Sequence, residues 1–72
     1  MSAPLNKLVG KNIKHLRTKK KLTQEALSEA SNVGYKYIQL IEGKSPPNIS
    51  LKTIEKISKA LGVTPENLLK AR

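Results

Sequence analysis

An all-α fold of five short helices is what this sequence predicts, and three observations carry the prediction. Apolar residues recur at steps of three and four along most of the chain, the period of an amphipathic helix. Residues that start helices (Thr23, Ser50, Thr64) and residues that end them (Asn32, Gly43, Gly62) punctuate that pattern. One segment, KSPPNIS from Lys44 to Ser50, holds two prolines among small polar residues and must be a loop.

The first helix is expected from about Leu5 to Lys19, because Leu5, Leu8, Val9, Ile13 and Leu16 form one apolar stripe and Pro4 suits a helix start. Gly10 inside it costs about 1 kcal/mol relative to Ala, so another helix should approach closely there. Lys7, Lys11, Lys14 and the run Lys19, Lys20, Lys21 point outward. Thr23 then caps a second helix: its hydroxyl can accept from a free first-turn amide, and Glu25 sets negative charge near the positive helix end. Ala26, Leu27 and Ala30 give this helix its apolar pattern, and it should end near Ser31. Asn32 is the expected hinge, since asparagine readily accepts the left-handed conformation that reverses a helix.

A third helix is expected from Gly34 through Glu42, with Gly43 stopping it. Val33, Ile38 and Ile41 turn inward, which leaves Tyr35, Lys36 and Gln39 on the outer side. A cation, an amide and a phenol on the free face of a helix too short to be stable alone suggest a reading surface. Ser50 caps a fourth helix whose inward stripe is Leu51, Ile54, Ile57 and Leu61, closed by Gly62. Thr64 followed by Pro65 starts a short fifth helix carrying Leu68 and Leu69.

At 72 residues the chain is a single small domain, with no room for a second, effector-sensing one, so no small-molecule effector is expected. Its core is aliphatic and thin, for there is no Phe or Trp. Without cysteine there is no disulfide scaffold or thiolate metal site, and His15 alone cannot build a metal centre. Five scattered acids and one histidine provide no converging nucleophile, base or metal set, so neither an enzyme nor a cofactor is expected. No apolar run approaches the length of a membrane span, and MSAPLNK lacks the apolar centre of a signal peptide; a cytoplasmic protein is the expectation.

The net charge of +9 favours a polyanionic partner, and its distribution is more informative than its size. Met1 to Lys21 holds seven basic residues and no acid, Leu22 to Ser50 two basic and three acidic ones, and Leu51 to Arg72 five basic and two acidic ones. Positive charge therefore flanks the reading stretch on both sides. Any single lysine can be explained by solubility; the asymmetry as a whole points to nucleic acid.

The segment LTQEALSEASNVGYKYIQLIEG, through its residues LTQEAL, NV, YI and IEGK, resembles the helix-turn-helix of the Cro/C1 (Xre) regulators, found in phage repressors and in controller proteins of restriction-modification systems. The likeness runs from about Leu8 to Leu69 and implies a compact, lambda-repressor-like DNA-binding domain with its motif at about residues 23–42. Two departures stand out. Lys21 occupies the place where the family commonly has glycine before the motif, and Gly43 follows Glu42 directly where one residue commonly intervenes.

By that resemblance, Gly34, Tyr35, Lys36, Gln39 and Leu40 lie closest to bases. Lys36 can donate to guanine, Gln39 can pair with adenine or touch a phosphate, and Tyr35 can donate its hydroxyl or cover a thymine methyl. Leu40 is open to two readings, a thymine-methyl contact or a packing residue. Tyr37, beside the core face, should be partly buried with its hydroxyl out. Gln24, just after the cap, is assigned to a phosphate together with the helix end, as are Gly43, Lys44 and Ser45 at the other end of the reading helix. The resemblance also pairs Arg17 with Glu42, a contact that would orient the third helix rather than read DNA.

Two function classes are compared. The first is a sequence-specific regulator of transcription, such as a repressor, that binds a roughly palindromic operator in double-stranded DNA as a homodimer. Val63, Leu68 and Leu69 would form the dimer contact, or else seal the core of a monomer. The second is a protein-interaction module, such as an antitoxin or coactivator-like adaptor, which would use Tyr35, Tyr37 and Leu40 as an apolar patch. RNA or membrane-surface binding through the first helix rests on charge alone.

Overall fold

A computed structural model describes residues 4–71, and over them the chain forms α1 (Pro4–Lys19), α2 (Gln24–Ser31), α3 (Tyr35–Ile41), α4 (Leu51–Leu61) and α5 (Pro65–Leu69), with no strand. Met1 to Ala3, the first three residues of MSAPLNK, and Arg72 lie outside the described residues.

The boundaries follow from side-chain chemistry. Thr23 stands in an extended conformation and its Oγ1 accepts from the Ala26 amide at 3.0 Å. Ser50 does the same for α4, accepting from the Thr53 amide at 3.1 Å. Each satisfies an amide that the helix itself leaves unpaired. Thr64 differs: its hydroxyl makes no bond to the backbone and instead accepts from Asn67 Nδ2 at 3.0 Å, so the fixed φ of Pro65 starts α5 without a side-chain cap.

Three helices end through a left-handed residue. At Asn32 (φ 60°) and Gly62 (φ 71°) this is the expected outcome. The third is Lys21, also at φ 60°. Its amide reaches the Thr18 carbonyl at 2.9 Å and the Leu22 amide reaches Arg17 at 3.0 Å, the paired bonds of a glycine-type helix end made by a lysine. Gly43, expected to stop α3, has no such geometry, because Gly62 is the one glycine with positive φ among the described residues. α3 ends at Ile41, and Glu42 leaves it in ordinary right-handed geometry; at the other end Gly34 is the cap rather than the first helical residue.

All five helices contribute to one core: Val9 and Ile13 from α1, Leu27 from α2, Ile38 and Ile41 from α3, Ile54, Ile57 and Leu61 from α4, and Leu68 from α5, with Val33 from the turn. Leu5 and Leu51, expected in the inward stripes, are exposed, Leu51 to 81%. Both sit in the first turn of their helix, where the periodicity is right but the side chain stays open to solvent. Ala30 is exposed as well. Leu68 is wholly buried in the core of its own chain and Val63 is half-buried against it, so of the three residues expected to contact a second copy only Leu69 offers its side chain.

Close approach at Gly10 is confirmed: a Cβ there would collide with the Ile41 carbonyl oxygen. α1 therefore presses backbone to backbone on the end of α3. Asn12, also fully buried, donates through Nδ2 to the carbonyls of Leu68 and Lys70, both at 2.8 Å, and so ties α5 to α1.

Candidate nucleic-acid interface

α3 divides cleanly into two faces. Ile38 and Ile41 are fully buried with Val33 beside them, and their burial turns the opposite side of the helix to solvent. Gly34, Tyr35, Lys36, Gln39 and Leu40 all lie exposed there. Leu40 is 55% exposed, which removes the packing alternative for it. Apart from Gly34 and its two chain neighbours, nothing lies within 4 Å of where a Gly34 Cβ would be, so the start of the helix is open to a close-approaching ligand.

Two of these side chains are joined. Gln39 Nε2 donates to the Tyr35 hydroxyl at 3.3 Å, one turn back along the same face. The amide keeps its carbonyl oxygen and one N–H free, an adjacent acceptor and donor, while the phenol can still donate its own proton. Tyr37 is half-buried, as expected, and its hydroxyl donates to the Asn48 carbonyl at 3.1 Å. Asn48 in turn accepts through Oδ1 from Asn6 Nδ2 at 3.1 Å, so the loop after α3 is tied both to α3 and to α1.

The end of α3 is held more firmly. Arg17 Nε donates to Glu42 Oε2 at 2.8 Å and Nη2 to Oε1 at 2.9 Å, while Nη1 donates to the Leu22 carbonyl at 2.7 Å. The Glu42 side chain is only 3% exposed. Gln24 joins this group, its Nε2 donating to Glu42 Oε1 at 3.0 Å. Sequence reasoning placed Gln24 on a phosphate and missed this bond. The two uses are compatible, because the amide has a second hydrogen and Gln24 stands at the first position of α2, where the helix end is positive. Gly43, Lys44 and Ser45 follow as an exposed loop.

Charge differs at the two ends of α3. Near Tyr35, α2 contributes Glu25 and Glu29. Past Glu42, the surface carries Lys44 and lysines of α1. His15 is exposed on α1, away from any acidic partner among the described residues. No helix among the described residues is long and apolar enough to cross a membrane, and no cluster of His, Cys, Asp or Glu there could hold a metal ion.

A capped helix, a left-handed asparagine turn and a second short helix with a polar outer face, set across a fixed first helix, define a helix-turn-helix domain of the kind that presents one helix to DNA. Comparison with known proteins agrees. The chain belongs to the helix-turn-helix family of Xre-type DNA-binding regulators, whose profile matches residues 13–68. It is 40% identical to the control protein C.BamHI of Bacillus amyloliquefaciens over 70 residues, covering 96% of this chain and 85% of that one. It is 42% identical to the immunity repressor protein of Bacillus phage phi105 over 55 residues, 76% of this chain but 38% of that one. Among solved structures, C.Esp1396I bound to a 19 base pair DNA duplex superposes with a TM-score of 0.82 at 36% identity, covering 92% of this chain and 87% of that one. The chain is thus a DNA-binding regulator of the controller and repressor type and not an enzyme.

Proposed function

We propose that the chain binds a roughly palindromic operator as a homodimer, with α3 of each copy in the major groove and its Tyr35, Lys36, Gln39 and Leu40 against base edges. The observation that carries this reading is the outer face of α3: four side chains able to donate, accept or make apolar contact stand exposed on a helix whose other face is buried. Gln39, held by Tyr35, offers an acceptor beside a donor, the complement of adenine N6 and N7. Lys36 suits guanine O6 and N7, and Leu40 the methyl group of thymine. Gly34 lets the groove wall come close. Gln24 and the loop Gly43, Lys44 and Ser45 are the phosphate contacts that fix register.

The second copy is assigned to the groove between α4 and α5, where the exposed Leu51 and Leu69 stand beside Ile54 and Pro65. Two of the largest exposed apolar side chains of the domain meet there, and pairing this surface with itself would cover both. Two α3 helices about 34 Å apart would then meet successive major grooves. Neutralising about eight phosphates per dimer gives a log-log salt dependence with a slope of about −7. A binding constant indifferent to salt would overturn the proposal.

One observation favours a second reading. Tyr35 and Leu40 are 42% and 55% exposed, an apolar pair that a protein partner could cover, although Tyr37 is too buried to extend it. Substituting Lys36 and Gln39 separates the two: loss of sequence selectivity supports DNA reading, whereas unchanged DNA binding with loss of a protein partner supports the adaptor.

A further inference from the structure

Beyond the end of α3 runs a groove whose charge the reading of bases does not use. Lys7, Lys11 and Lys14 line it from α1, and Lys44 lines it from the loop after α3. The α1 lysines fall one helical turn apart on a single face, all exposed, and span about 10 Å of helix axis. That is the axial run of about three nucleotides of one DNA strand. One carboxylate lines the groove, Glu42, and it is already bonded by Arg17 and Gln24. Arg17 with Glu42 is the one ion pair among the described residues, so these four cations share a groove with no free acid to neutralise them.

We propose that this groove is a second phosphate track, which seats the sugar-phosphate backbone of duplex lying outside the half-site read by α3. Two features select DNA as the occupant. Lys44 belongs both to the groove and to the loop at the end of α3, so the track is continuous with the reading helix. Glu25 and Glu29 stand with Tyr35 at the start of α3 and not in this groove at its end, so a strand passing α3 is drawn toward the lysines. Solubility alone would not require the lysines to converge on one groove. The proposal rests on α3 reading DNA, but it adds a contact that carries affinity without sequence preference.

The test compares the selected operator trimmed to its two half-sites with the same operator extended by about six base pairs on each side, using the full chain and the variant K7Q/K11Q/K14Q. The wild type should bind the extended duplex about tenfold or more tightly than the trimmed one. The variant should bind both alike and select the same sequence, and its log-log salt slope should be shallower by about three per subunit. Replacing the three lysines by arginine should restore the preference for long duplexes.

A wild type that selects one sequence yet ignores the flanks overturns the groove and leaves the α3 reading intact. Dependence on flank length without any sequence preference supports the groove and defeats the α3 reading. A variant with unchanged salt slope, or one that loses an acidic protein partner and no DNA affinity, also overturns the proposal. Should the triple variant fail to fold, the flank comparison on the wild type still decides.

Discussion

Arg17 and Glu42 meet through two parallel hydrogen bonds of 2.8 and 2.9 Å, and between them they lock the end of α3 to α1. The guanidinium also holds the Leu22 carbonyl, and the carboxylate also accepts from Gln24, so three elements converge on one buried ion pair. We propose that the pair acts as an orienting device, setting the angle at which the outer face of α3 leaves the domain. A buried pair adds little net stability against an apolar replacement, yet breaking one side strands a charge.

Arg17→Glu alone should therefore destabilise the fold by about 3–5 kcal/mol, as measured by urea unfolding. Adding Glu42→Arg should recover part of that loss, with incomplete rescue because residue 17 would then face the Leu22 carbonyl with an acceptor. If Arg17→Glu is harmless and the double exchange changes nothing, the pair has no orienting role.

Gly10→Ala sets two effects against each other. Helix propensity favours alanine by about 1 kcal/mol, but the new methyl would run into the Ile41 carbonyl, which is backbone and cannot swing away. Sterics should win, with a net loss of more than about 2 kcal/mol and weakened DNA binding as α3 shifts. A variant as stable as the wild type would show that α1 and α3 are not in backbone contact.

Lys21→Gly should do the reverse. The left-handed conformation costs a non-glycine residue about 1–2 kcal/mol, and glycine gives back part of the gain through a more flexible unfolded chain. The expected result is a stabilisation of up to about 1 kcal/mol, read as a higher urea midpoint at unchanged slope. A lower midpoint would mean that the lysine side chain contributes more there than its backbone costs.

Tyr35→Phe removes the hydroxyl that accepts from Gln39 and leaves the ring. Stability should stay within about 0.5 kcal/mol, as for most surface changes. Preference for adenine at one position of each half-site should relax by up to about tenfold, since the amide is then free to turn. An unchanged base preference would show that Gln39 is not positioned by Tyr35.

How much of this could be read from the residues depends on whether the determining interaction is local. Thr23, Ser50, Asn32 and Gly62 act within one turn of themselves, and each does what its chemistry dictates. Gly10 was legible because a glycine inside a helix needs a reason, and the reason is Ile41. The Arg17–Glu42 contact, 25 residues apart in sequence, came through family resemblance and not from any local pattern. What escaped was set by neighbours that periodicity does not contain. Leu51 lies in register with Ile54 and Ile57 but beyond the reach of the core, and Leu68 lies inside it. Asn12 looks like a surface residue of α1 until the carbonyls of Leu68 and Lys70 are found beside it. The Gln24 bond to Glu42 required knowing that α2 and the end of α3 meet.

The central claim is that the outer face of α3 reads base sequence, and selection of bound sites from a random DNA pool tests it most directly. The wild type should enrich one sequence with inverted half-sites about one helical turn apart. The variant carrying Lys36→Ala and Gln39→Ala should keep salt-dependent binding while losing that preference. Enrichment of the same sequence by both proteins, or of none by the wild type, would contradict the account.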